Sequence, residues 1–265
     1  MFRFMLNTRK EAIGLVLICV IGLLIAAAYV IYDRLPQDAQ YHNFSDTQLH
    51  WCIPNFFNVI SNVPFLVVGL LGLVAFRAPK PSDYAIAQSN LLAYRILFIA
   101  SALVGIGSSY YHLQPNNLTL VWDRLPMTLA FMAFYSIIIS EYVSPKLGKL
   151  LLFPLLFVGL VSVFYWRYTE LNGAGDLRLY AVVQFFPLAT MPVILLLFKS
   201  SYGTASKYWL LLTCYLLAKF FEHFDAQIHE ALVVISGHSI KHVLPALGLY
   251  MLLKSYQQSN SALGN

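Results

Sequence analysis

Two histidines four residues apart, His238 and His242, open an apolar stretch near the C-terminus. On a helix that spacing sets both imidazoles on one face, at a separation that one metal ion can bridge. A third histidine, His112, closes another apolar stretch with Ser108 one turn before it, and Asp123 opens the next. Three imidazoles make a three-histidine zinc set whose fourth position is left to water. Zinc acidifies water enough to supply a nucleophile near neutral pH. Asp123 is then the candidate general base or orienting carboxylate. Ser108 is the candidate donor to a developing oxyanion. Singly, each residue has a plainer reading. A histidine near a helix end is commonly an interfacial, hydrogen-bonded residue, and facing histidine pairs also hold b-type haem. Asp123 beside Arg124 fits a local ion pair, and serine bonds readily to its own helix. What favours a site is that three stretches bring these residues to one depth.

Such residues need elements to carry them, and composition says of what kind. The 265-residue chain is 59% hydrophobic and 11% charged, against roughly half and a quarter in a soluble domain. Its mean hydropathy is +0.67. Disordered, coiled-coil and ordinary soluble-enzyme classes are excluded. Apolar stretches fall at about 12–32, 55–76, 91–112, 119–140, 148–166, 178–198, 206–229 and 238–255. They predict an all-α polytopic membrane protein, a seven-helix core preceded by one extra N-terminal transmembrane helix. Residues 1–52 are then tail, anchor and outer loop, 53–255 the core, and 256–265 a C-terminal tail.

The first stretch follows Arg3, Arg9 and Lys10 as a signal peptide would. Its apolar core, Ala12 to Ile31, is longer than a signal sequence needs and predicts an uncleaved anchor, although Ala26-Ala27-Ala28 offers a cleavage site. Lys and Arg at alternate span ends number eleven against six in favour of both termini being cytoplasmic. That places the site towards the extracytoplasmic side. The net charge of +5 comes from basic residues scattered singly, which set topology and do not suggest a nucleic-acid partner. Cys19, Cys52 and Cys214 have no paired spacing, so neither a disulfide framework nor a thiolate site is expected.

The seventh stretch carries Lys219, Glu222, Asp225 and His229 at spacings that share a helical face. Three readings stand. The first is a Lys219–Glu222 pair with wetted neighbours. In the second, Glu222 or Asp225 orients a metal-binding histidine through its free ring nitrogen. The third is recognition of a polar lipid head. Lys241, between the two C-terminal histidines, either snorkels or binds a carboxylate product.

The run Gly105-Ile-Gly-Ser108-Ser-Tyr-Tyr-His112, followed by Asp123 in Asp-Arg-Leu-Pro-Met127, resembles the alkaline ceramidase signature. The His238-x-x-x-His242 pair is similar to that family's closing histidines, and Asn58-Val-Ile-Ser61-Asn62 resembles the start of its first core helix. The likeness spreads over most of 53–255. The wider superfamily, with adiponectin-type receptors and lipid-remodelling hydrolases, shares the same residue pattern. The resemblance implies a seven-helix intramembrane zinc amidase that cleaves ceramide to a sphingoid base and a fatty acid. It also implies that His112, His238 and His242 bind zinc, with Asp123 activating water and Ser108 beside the metal. Animal members carry an acidic calcium-binding segment before the first core helix. Here that region reads Leu49-His50-Trp51-Cys52-Ile53-Pro54-Asn55, without sufficient carboxylates, so calcium is not expected.

The residues and the resemblance together predict a zinc-dependent hydrolase of ceramide or a similar N-acyl lipid, its substrate entering from the bilayer. A seven-helix lipid receptor or sensor with a structural zinc site, or a zinc hydrolase of another lipid class, is the alternative.

Overall fold

The computed structural model describes residues 8–77, 86–200, 202–203 and 205–258. Arg3, Lys80, the expected break at Ala78 to Ser82, two positions of the break at Ser200 to Thr204, and the tail beyond 258 lie outside them. The described residues are helical, with no strand among them beyond an isolated bridge between His50 and Ile53.

Helix α1 (Arg9–Ile31) begins at Thr8, whose hydroxyl accepts from the Glu11 amide while the Glu11 side chain reaches back to the Thr8 amide. This reciprocal cap satisfies two donors that a helix start otherwise leaves open. Only 6% of its most apolar window is buried within the protein, so most of α1 faces lipid; it leans on α7 (Arg178–Leu197). The core begins with α2 (Phe56–Ile60) and α3 (Val63–Ala75), interrupted at Ser61-Asn62. It continues with α4 (Leu91–Leu113), α5 (Leu120–Ile138) and its π-helical extension Ile139–Val143, and then α6 (Pro145–Leu171). After α7 come α8 (Ser206–His223), α9 (Asp225–Leu232) and α10 (Gly237–Gln258). By length and composition six spans qualify among the described residues, including the N-terminal one. The count is seven if α9 and α10, bent by 101°, are one broken span.

The seventh apolar stretch differs from expectation in two ways. Its helix stops at His223 instead of running to 229, so Asp225 and His229 belong to the separate helix α9. With Lys207, Lys219 and Glu222, α8 is also too charged to count as an independent span, and it lies along α10.

Two glycines and a proline set how closely the site-bearing helices meet. Pro126 has no amide to give the Trp122 carbonyl four residues back. A Cβ on Gly107 would collide with that same carbonyl oxygen. A Cβ on Gly105 would lie 2.7 Å from the Leu66 amide nitrogen on the other side. The Gly105-Ile-Gly107 pair therefore lets α4 press on α3 and α5 together, just before Ser108 and His112 project. Side chains at either position would push the helices apart.

Candidate active site

The α4 C-terminus, the α5 N-terminus and the α10 N-terminus meet at one end of the bundle. His112, His238 and His242 are all buried there, with one ring nitrogen of each within 4.8 Å of the others. The Nε2 atoms of His112 and His238 are 3.3 Å apart. Tetrahedral ligands at about 2.0–2.1 Å from a zinc ion stand roughly 3.3–3.4 Å from one another, so the spacing suits nitrogens sharing one ion. Convergence of three rings on one point fits a single ion better than a haem, which takes axial ligands on opposite faces.

Each imidazole is set by its surroundings. The Ser61 hydroxyl donates to the Asn58 carbonyl at 3.1 Å and lies 2.8 Å from His242 Nδ1. Its oxygen is thus placed to accept from Nδ1–H, which leaves the lone pair of Nε2 for a metal. The Asn58 side-chain carbonyl accepts from Ser239 on α10 at 2.8 Å, tying α2 to the histidine helix. Asp225 accepts from the His238 backbone amide at 2.7 Å and from the Ser45 amide at 3.0 Å. The Phe44 ring covers His238 and His112, with centroids 4.2 and 4.7 Å away. Nδ1 of His112 is buried with no partner among the described residues, which gives that ring no brace there like the one on His242.

Asp123 and Ser108 are buried at the same end. Both line a cavity of about 360 Å3 together with Asn62, His242, Lys219, Glu222 and Lys241. Beyond this polar end its walls are apolar, among them Phe131, Leu188, Met191, Leu211 and Leu249. Both α7 and α8 contribute walls. A polar end on an apolar tunnel suits an amphiphile.

A family model described as Ceramidase matches residues 43–263. The chain belongs to the ceramidase family. Membership implies an amidase acting on ceramide, in a multi-pass membrane protein that holds a buried three-histidine cluster able to bind a metal. No curated protein matches the chain.

Within this ceramidase-family site the five residues singled out by spacing lie together at one end. The readings of the seventh stretch resolve differently. Glu222 bridges Lys219 and Lys241 at 2.6 Å each, so Lys241 is paired within the cavity wall. Neither Glu222 nor Asp225 is bonded to a metal-facing ring; Asp225 instead acts on the His238 backbone. Arg124 forms none of the ion pairs found among the described residues, so the simple Asp123–Arg124 pair is not what the structure holds. The residues that sequence spacing missed are Ser61 and Phe44. Ser61 sits in the Asn58-Val-Ile-Ser61-Asn62 motif, and that motif was the available signal for it.

Proposed function

We propose that the chain hydrolyses the amide bond of ceramide or a similar N-acyl lipid, with His112, His238 and His242 holding a zinc ion and residues 53–255 forming the catalytic unit. The observation that carries this reading is the set of three converging imidazoles at the polar end of an apolar cavity that Ser108 and Asp123 also line. A zinc ion held there supplies a Lewis acid for the carbonyl and the acidity that makes water a nucleophile near neutral pH.

The chain's own residues do the rest. The apolar walls take the acyl chain and keep bulk water away from the amide. Asp123 accepts a proton from the attacking water and gives it to the departing nitrogen. The carbon–oxygen bond forms as the carbon–nitrogen bond breaks, leaving a fatty acid and a sphingoid base. Ser108 donates to the carbonyl oxygen as charge collects there. Asp225 fixes the first turn of α10 and with it the direction of His238. Glu222 keeps Lys241 and Lys219 on the cavity wall, where their charge favours the negative character gained by the carbonyl. The lysine and arginine distribution supports cytoplasmic termini and a site on the extracytoplasmic side.

Metal analysis of purified protein, followed by a lipid-amide release assay, tests the reading. We expect about one zinc per chain, lost in His238→Ala, and release of free fatty acid from ceramide that disappears in Asp123→Asn. Wild-type protein with negligible zinc, or with zinc but no turnover across a panel of N-acyl lipids, overturns it.

A further inference from the structure

The polar end of the cavity holds more positive charge than its own acids neutralise. Lys219, Lys241 and Arg124 line it, against Asp123 and Glu222. The two lysines share Glu222. Arg124 is only 4% exposed and has no ion-pair partner among the described residues. Its guanidinium is enclosed by Trp166, Tyr180 and Tyr41, with ring centroids at 4.3, 4.6 and 5.6 Å. Aromatic faces favour a cation but accept no hydrogen bond in the guanidinium plane. The acceptor it does have is neutral: Nη2 donates to Gln37 Oε1 at 2.7 Å. Nη1 is buried without a partner among the described residues. So is the indole N–H of Trp166, the residue stacked at 4.3 Å on the same guanidinium and 0% exposed.

An unpaired buried charge is costly, and a buried donor with no acceptor forfeits the bond it had with water. Here two donors on stacked side chains, carried by α5 and α6, lack the same thing. A small free anion would satisfy them, but Arg124 lines a cavity walled mainly by apolar side chains, and Trp166 stacks on its guanidinium. That combination selects an anion carried on an acyl or alkyl chain.

We propose that Arg124 and the Trp166 indole form an anion subsite at the polar end of the cavity, which binds a carboxylate or phosphate oxygen of a lipid. Two sources share this chemistry: the fatty acid freed by hydrolysis, and an acidic substituent on the head of the intact N-acyl lipid. Assigning those sources rests on the hydrolase reading; the subsite itself does not.

The test is binding to the full chain in neutral-detergent micelles, followed by tryptophan fluorescence or calorimetry. A long-chain fatty acid, an alkyl phosphate and a fatty alcohol of equal length are compared. The two anions should bind at least about tenfold more tightly than the alcohol, as for a charge-assisted pair. That advantage should fall to within about twofold in Arg124→Gln, where the charge is gone. Trp166→Phe, which removes the N–H and keeps most of the ring, should weaken the anions alone. Arg124→Lys should keep part of the advantage, as a point charge without the planar fork does. If Arg124→Gln does not fold, Trp166→Phe and Arg124→Lys carry the comparison. The advantage should also persist in His238→Ala, in which the metal set is broken, so a failed hydrolase reading and a failed subsite are told apart. An N-acyl sphingoid base is then compared with its phosphate monoester. Tighter binding of the monoester, lost in Arg124→Gln, assigns the subsite to the substrate head; a preference confined to free carboxylates and alkyl phosphates assigns it to the product. Equal binding of acid and alcohol by the wild type, or an advantage that survives Arg124→Gln, overturns the proposal.

Discussion

The bundle buries ionisable groups at both ends, and the two ends treat them in opposite ways. Asp123 and Glu141 stand 18 residues apart along α5 and its extension, about 27 Å of helix. At the Glu141 end, unlike groups face each other: the carboxylate meets the Lys207 ammonium at 3.2 Å and the Tyr94 hydroxyl at 2.6 Å. Lys207 also lies over the rings of Tyr208 and Tyr256, whose hydroxyls are bonded at 2.9 Å. At the Asp123 end Glu222 answers Lys219 and Lys241, but other groups go unanswered. Three imidazoles converge on one point, and two donors near Arg124 face no acceptor. Glu141 and Lys207 are absent from the walls of the cavity, whereas Asp123 and Arg124 are part of them. Burial of charge is therefore not itself the mark of a site. Charges that answer one another hold helices together; charges left unanswered at a cavity wall await something from outside.

If this contrast is right, substitutions at the two ends should fail differently. The largest effect should be on turnover. Asp123→Asn should cut amide hydrolysis by about 10²–10⁴-fold, the range for a lost general base, while metal content stays at the wild-type level. Glu141→Gln should do the reverse. It strands Lys207 in the interior and should cost about 3–5 kcal/mol of stability, read from denaturant unfolding in detergent, with activity per folded chain preserved. Glu141→Gln combined with Lys207→Met should recover most of that loss, and failure to recover would break the comparison. Ser61→Ala should lower metal affinity by about 10–100-fold in a chelator competition, as loss of a histidine's outer partner does. The smallest effect lies outside the membrane, in the loop before α7. The Arg178 guanidinium holds the Asp176 carboxyl below its usual range. Its stabilising contribution is thus complete above the unfolded value of about 3.9 and is lost as pH falls through the lower folded one. Asp176→Asn should flatten that acid limb in a pH-unfolding series and leave neutral-pH turnover untouched.

The helices are legible because lipid imposes long apolar runs, and the observed bounds of α4, α7 and α10 fall within three residues of those expected. The site is legible for a related reason: in such a background Ser108, His112, Asp123, His238 and His242 are conspicuous, and a four-residue spacing survives without knowledge of the fold. Supporting residues are harder to find. Ser61 is a small hydroxyl at a helix interruption, and its hydrogen bond to His242 crosses 181 positions of sequence. Helical spacing misplaces Asp225 because it carries one helix through Phe224, where α8 ends. Arg124 pairs with its neighbour Asp123 only in sequence, whereas its real surroundings come from the Gln37–Tyr41 loop, α6 and α7.

The charged helix α8 has a consequence for biogenesis. The six helices that qualify as spans can be handed to the bilayer singly, since each is apolar enough to stay there. Helix α8 cannot: Lys207 is neutralised by Glu141 from the extension of α5, and Glu222, beside Lys219 of its own helix, also holds Lys241 from α10. An ionisable side chain without its partner is expensive in hydrocarbon, so α8 becomes a stable resident once α5 is in place and α10 has been synthesised. Insertion of the chain from α8 onward is thereby coupled to completion of the polar end. A nascent chain cut before residue 237 should leave α8 accessible to water-borne labelling reagents, and the full chain should not.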